Sequence, residues 1–226
     1  MDPRARFVER IADPAFPCVG AKSALAQDQL HFVRAGDLRH GDDDARLLDQ
    51  IAAFASGTGA DAMFTSLVLL FERTPRLDEA AFEQALWQRL QSLHALDQPQ
   101  HGWDPSVGSN PDQADFSMSL GGRAFYVVGL HPDASREARR FGCATLVLNL
   151  HSQFEALRAD GRYARLRDAI AERDIAYSGS RNPMLAVHGV ISEARQYSGR
   201  AVDQDWRCPF SPAPGAAVPA TTANGR

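Results

Sequence analysis

FSMSLGGRAFYVVGL, residues 116–130, decides the fold. Two short runs of strand formers, FSMSL and AFYVVGL, flank a Gly-Gly-Arg turn, which is the pattern of a β-hairpin. A hairpin here interrupts any regular strand-helix-strand alternation. Downstream, LHPDASREARRF (130–141) is expected to leave the second strand and become a helix, and ATLVLNL (144–150) reads as a buried strand. That strand runs into HSQFEALRADGRYARLRDAIAERD (151–174). Asp160 and Gly161 divide this helical region in two, because Tyr163, Leu166 and Ile170 restart a single apolar face after them.

Upstream of the hairpin lies a long Pro-, Gly- and Asp-rich loop (97–116), and before it a helix expected from an Asp78 N-cap through about His94. Its residues Phe82, Leu86, Leu90 and Leu93 share a face. AMFTSLVLLFE (62–72) reads as a buried central strand, and QLHFVR (29–34) as a short one. Between those strands, the acidic turn GDDD opens a helix whose apolar positions are Leu47, Leu48, Ile51, Phe54 and Ala55. These elements predict an α+β fold: one domain over residues 1–210, with a mixed β-sheet and central hairpin flanked by helices. The Pro/Ala/Gly/Thr tail, 211–226, reads as disordered.

Of the 226 residues, 24 are basic and 28 acidic, for a net charge of −4, and Lys22 is the one lysine. Without a basic block, nucleic-acid binding is not expected. The chain carries no GxGxxG after a strand, no GxxxxGK[ST], no HExxH and no GxSxG. Cys18, Cys143 and Cys208 are widely spaced with no CxxC pair, which suits reduced thiols in a cytoplasm. The first twenty residues have no apolar export region, and the longest apolar-rich run, Ala62 to Phe71, is about half a membrane span. A soluble cytoplasmic protein is expected, with no membrane partner.

Several pieces carry chemistry-bearing side chains. His131 stands at a strand end fixed by Pro132, suited to a metal ligand or general base, and Arg136, Arg139 and Arg140 would share one helical face able to hold carboxylates or phosphates. Backbone capping by His131 and a solvated arginine face explain the same residues equally well. His151 repeats the strand-to-helix placement, and if both strands point the same way the two histidines emerge at one sheet edge. Cys18 is either an activated thiolate or an inert small hydrophobe, and Lys22, four residues on, would share a helical face with it. Glu193, Arg195, Gln196, Tyr197 and Arg200 crowd polar functions into a site-like loop or a surface salt-bridge network. Trp206 and Phe210 read as a groove plug.

In order, FPCVGAKSAL, FSMSLGGRAFYVVGLHPDASREARRF, TLVLNLHSQFEALRADGRYARLRDAIAERD, GSRNPMLAVHG, EARQYSGR and WRCPF resemble the YqcI/YcgG family over about residues 16–210. The characterised members are haem-dependent N-oxygenases that hydroxylate a nitrogen of an amine or guanidine. The resemblance therefore implies haem b, dioxygen, an electron donor and an amino-acid-like amine or guanidine substrate. It implies His131 as iron ligand, with Arg136, Arg139, Arg140, Lys22 and Cys18 about the cofactor, and His151, Glu193 and Arg195 as catalytic or substrate-binding residues. His151 or Cys18 stands as an alternative ligand. Small haem proteins with exposed edges often pair, so a homodimer fits. The competing class is a non-catalytic haem or small-molecule binding or sensing protein.

Overall fold

The computed structural model describes residues 2–59, 62–185 and 190–212. One sheet contains β1 (Leu30–Ala35), β2 (Ser66–Phe71), β3 (Met118–Leu120), β4 (Arg123–Leu130) and β5 (Ala144–Leu150), in the order β1-β2-β5-β4-β3. β1 and β2 run parallel and every other neighbouring pair antiparallel, so the sheet is mixed and the fold α+β. All six residues of β2 are buried, as its uninterrupted apolar sequence requires of a strand covered on both faces. The β3–β4 hairpin turns on Gly121 and Gly122, at φ +60° and +70°. A Cβ on Gly121 would stand 2.9 Å from the Ala52 Cα, so the turn needs glycine twice over.

Strand alternation gives the sheet two different faces. On one, Val33, Leu69, Leu146 and Val127 pack under α3 (Asp44–Gly57) and α4 (Glu79–Asp97), with Tyr197 and Phe210 completing a closed core. Asp78 caps α4 as expected, accepting from the Ala81 amide at 2.8 Å. On the other face two rows run straight across four strands: Leu30, Ser66, Asn149, Tyr126, then Phe32, Val68, Val147, Val128. Above them lie α1 (Pro3–Ala12), α2 (Val19–Ala26), α5 (His151–Ala159) and α6 (Tyr163–Ser178). Gly161, at φ +66°, separates α5 from α6 at the expected break.

Three features differ from the sequence reading. Residues 130–141 form no helix beyond one 3-10 turn, Glu137–Arg139. The His131 amide donates to the Arg139 carbonyl (3.1 Å) and the Phe141 amide to the His131 carbonyl (3.2 Å), a β-bridge that ties the two ends of the segment together and leaves only the 3-10 turn between them. Arg136, Arg139 and Arg140 consequently share no helical face. Secondly, β4 and β5 are antiparallel, so His131 and His151 stand at opposite ends of the sheet, about 20 Å apart along the strands. Thirdly, α1 was not foreseen, although Pro3 opens it and Phe7 and Ile11, four apart, bury one face. The AVHG end of GSRNPMLAVHG and all but the first two residues of the expected disordered tail lie outside the described residues. Among the described residues no helix is long and apolar enough to cross a membrane.

Candidate functional site

The second face of the sheet is not filled. Between its strands and α1, α2, α5 and α6 lies a cavity of about 320 Å³, within the range of small-molecule sites. Its floor is apolar at Val128 and Val147, and a polar strip crosses it. Ser66 Oγ donates to Asn149 Oδ1 (2.7 Å), Asn149 Nδ2 to the Tyr126 carbonyl (3.4 Å), and the Tyr126 hydroxyl to Gln196 Oε1 (3.3 Å). Burial raises the Tyr126 pKa far above the ordinary phenol value, so its hydroxyl stays a neutral donor.

Cys18 lies on the cavity wall as the N-cap of α2, its Sγ accepting from the Ala21 amide at 3.4 Å. Burial pushes its thiol pKa up, against weaker opposing effects of backbone amides, Arg139 and Lys22, so it rests as a thiol and not as an activated thiolate. Lys22 does not join it. The Lys22 ammonium donates to the carbonyls of Ile11 (3.2 Å) and Asp13 and closes the C-terminal end of α1.

The three arginines of 136–140 go separate ways. Arg139 reaches the cavity and donates to the carbonyls of Gly129 (3.0 Å), Gln196 (3.1 Å) and Tyr197 (3.3 Å). Arg136 also borders the cavity, paired with Asp174 of α6 at 2.5 Å. Arg140 turns outward to Glu137 (2.9 Å) and the Ala134 carbonyl (2.7 Å).

His131 points to the opposite face of the sheet from the cavity. Its ring, 1 % exposed, stacks on Phe82 with centroids 4.3 Å apart and planes at 20°. Burial holds its pKa below the usual imidazole value, as it does for His151. His151 sits buried at the start of α5 with Nε2 3.0 Å from Glu155 Oε1, outside the cavity lining but within electrostatic range of Glu193 and Arg158, which do line it. Glu193 is buried on the cavity wall, 3.9 Å from Arg158. Arg195 faces away, donating to the carbonyls of Trp206 (3.2 Å) and Asp203 with its guanidinium 5.5 Å from the Trp206 ring centroid. Arg200 donates to Glu83 (2.7 Å) beside the closed core.

Cys18, Arg136, Arg139 and Glu193 therefore come together, while His131, Lys22, Arg140 and Arg195 do not, and His151 stays at the margin. Tyr126, Asn149, Arg158 and Asp174 were missed. Asn149 carried a signal, being a polar residue inside the apolar strand ATLVLNL. Among the described residues no group of three or more His, Cys, Asp or Glu could hold a metal ion by itself. Cys18 is the only His or Cys on the cavity lining among those residues.

The YqcI/YcgG family matches residues 7–211. The uncharacterized protein YcgG of Bacillus subtilis is 26% identical, over 91% of this chain and 85% of its own length. YqcI of the same organism, also uncharacterized, is 26% identical over 89% of this chain and 84% of its own. A Streptomyces lavendulae protein, DcsA, described as a putative N(omega)-hydroxy-L-arginine synthase, is 28% identical over 77% of this chain and 68% of its own length. No solved structure matches the chain.

Proposed function

This chain belongs to the YqcI/YcgG family, and on that premise we propose that it is a haem-dependent N-oxygenase acting on a small amine or guanidine in the cavity above the second sheet face. One observation carries the reading: five of the six family-like segments meet there. They contribute Cys18, then Tyr126 and Arg139, then Asn149, then Asn182, then Glu193. The name of the S. lavendulae relative supplies the reaction class, hydroxylation of a guanidine nitrogen.

The lining fits haem b in three respects. Val128, Val147 and Phe16 offer apolar surface for the macrocycle, Arg136 and Arg139 offer cations for propionates, and Cys18 Sγ offers a donor to iron. Metal coordination would remove the thiol proton. His131 would have to leave Phe82 and cross the sheet to serve, so the proposed ligand moves to Cys18. The bound cofactor would supply dioxygen activation, one oxygen atom going to the substrate nitrogen and the other leaving as water with two electrons from a reductase or small-molecule reductant and two protons from solvent. The protein's part is recognition and exclusion of water. Glu193 accepts from the cationic head of an amine or guanidine, the Tyr126 hydroxyl and Asn149 offer neutral hydrogen bonds, and the apolar walls keep solvent out.

Protein supplied with hemin is expected to show a Soret band that shifts with carbon monoxide after reduction, and to consume dioxygen when L-arginine and a reductant are added. Cys18→Ala is expected to lose or shift the band and His131→Phe to keep it. Loss of the band in His151→Ala alone would transfer the ligand to His151. A wild-type spectrum with no oxygen consumption for any amine or guanidine would favour the binding or sensing class.

A further inference from the structure

Four arginines line the cavity, and three of them have acidic partners: Arg136 with Asp174, Arg158 with Glu155 and Glu193, and Arg167 with Asp168. Arg139 has none within ion-pair distance among the described residues. Its guanidinium is held by backbone carbonyls instead. Its Nη1 donates to the Gly129 and Tyr197 carbonyls and its Nη2 to the Gln196 carbonyl, so the end of β4 and the segment EARQYSGR grip it from two sides.

Two glycines make that grip possible. A Cβ on Gly129 would lie 2.7 Å from Phe82 Cε1 and 2.9 Å from the Tyr197 carbonyl oxygen, driving the two segments apart. Gly199, at φ +84°, lies against the arginine stem, where a Cβ would approach Arg139 Cγ to 3.2 Å. EARQYSGR reads as a site-like loop, yet its Arg195 and Arg200 point elsewhere, and the segment's backbone carbonyls and glycine instead hold an arginine from another motif. Carbonyl dipoles orient a guanidinium but do not neutralise it, and a charge in a low-dielectric site is stabilised fully only by a counter-charge.

We propose that Arg139 is a preorganised anchor for a ligand carboxylate, positioned from behind by EARQYSGR. Guanidinium and carboxylate pair with matched geometry, which makes a carboxylate the chemistry this site selects. The carboxylate comes either from a haem propionate or from an amino-acid substrate. The inference rests on reading the cavity as the ligand site and is independent of the oxidation step.

Two probe pairs separate the sources: hemin against hemin dimethyl ester, and L-arginine against agmatine, its decarboxylated form. Binding of each is measured by absorbance or calorimetry to wild type, Arg139→Gln, Arg139→Lys and Gly199→Ala. In wild type, one pair is expected to favour the carboxylate form by about tenfold or more, the scale of a charge-assisted hydrogen bond. Arg139→Gln abolishes that preference, while Arg139→Lys and Gly199→Ala weaken it. A hemin preference identifies a propionate, and an arginine preference identifies the substrate carboxylate. If Arg139→Gln fails to fold, the two charge-preserving variants decide the matter. Wild type that discriminates neither pair, or variants that all keep the full preference, would overturn the proposal. Discrimination without N-hydroxylated product would count against the oxygenase reading alone.

Discussion

Lys22 and His131 show how little a residue's type says about where its side chain goes. Lys22 stands four residues from Cys18, yet its ammonium spans to the carbonyls of Ile11 and Asp13 and ties α2 to α1. Lys22→Met is expected to cost about 0.5–1.5 kcal/mol, the worth of a hydrogen bond and a helix end, read as a lowered urea midpoint. Hemin binding should not change. His131 occupies a strand end that suits a ligand, but strand parity turns it onto Phe82. His131→Phe, which preserves an aromatic stack, is expected to bind hemin as wild type does; loss of binding would return the histidine to the site. Neither direction was legible locally, because each depends on a partner distant in sequence.

At the scale of elements, the readable parts were those with local causes. The hairpin was written in its two glycines, α4 in its Asp78 cap and apolar stripe, and the division of α5 from α6 in Gly161. The loop from Leu130 to Phe141 was not readable, since its backbone hydrogen bonds to itself and its Arg139 to carbonyls of residues 196 and 197 override a helical pattern. Gly129 joins these pieces. The Gly129 amide donates to the Tyr197 carbonyl at 2.7 Å, and no Cβ fits between Phe82, Leu86 and that carbonyl. Gly129→Ala is expected to destabilise the fold by about 1–3 kcal/mol, as overpacking does, and to weaken hemin binding by displacing the Arg139 cradle. Unchanged thermal unfolding of that variant would show the junction to be looser than its distances imply.

Across the whole molecule, one sheet supports a closed core on one face and a cavity on the other, and this asymmetry decides which of the singled-out residues meet. Five of the six motifs contribute lining residues to the cavity; strand parity places Tyr126 and Asn149 there and His131 in the core. The buried histidines give the fold a pH signature. Burial holds His94, His131 and His151 below the ordinary imidazole pKa, so the unfolded chain binds protons that the folded one resists. The stability these three groups contribute is therefore full above about pH 6.5, the unfolded value, and declines as pH falls from there through the folded values. The unfolding temperature should drop between pH 7 and pH 5, and His131→Phe should reduce that drop. The central claim, that the cavity above Val128 and Val147 is the ligand site, is tested most directly by hemin titration of wild type and Val128→Trp, which puts a bulky ring on the cavity floor without touching the closed core. Wild type should develop a Soret band saturating at one equivalent, and folded Val128→Trp should develop none; equal bands in both proteins, or none in wild type, would contradict it.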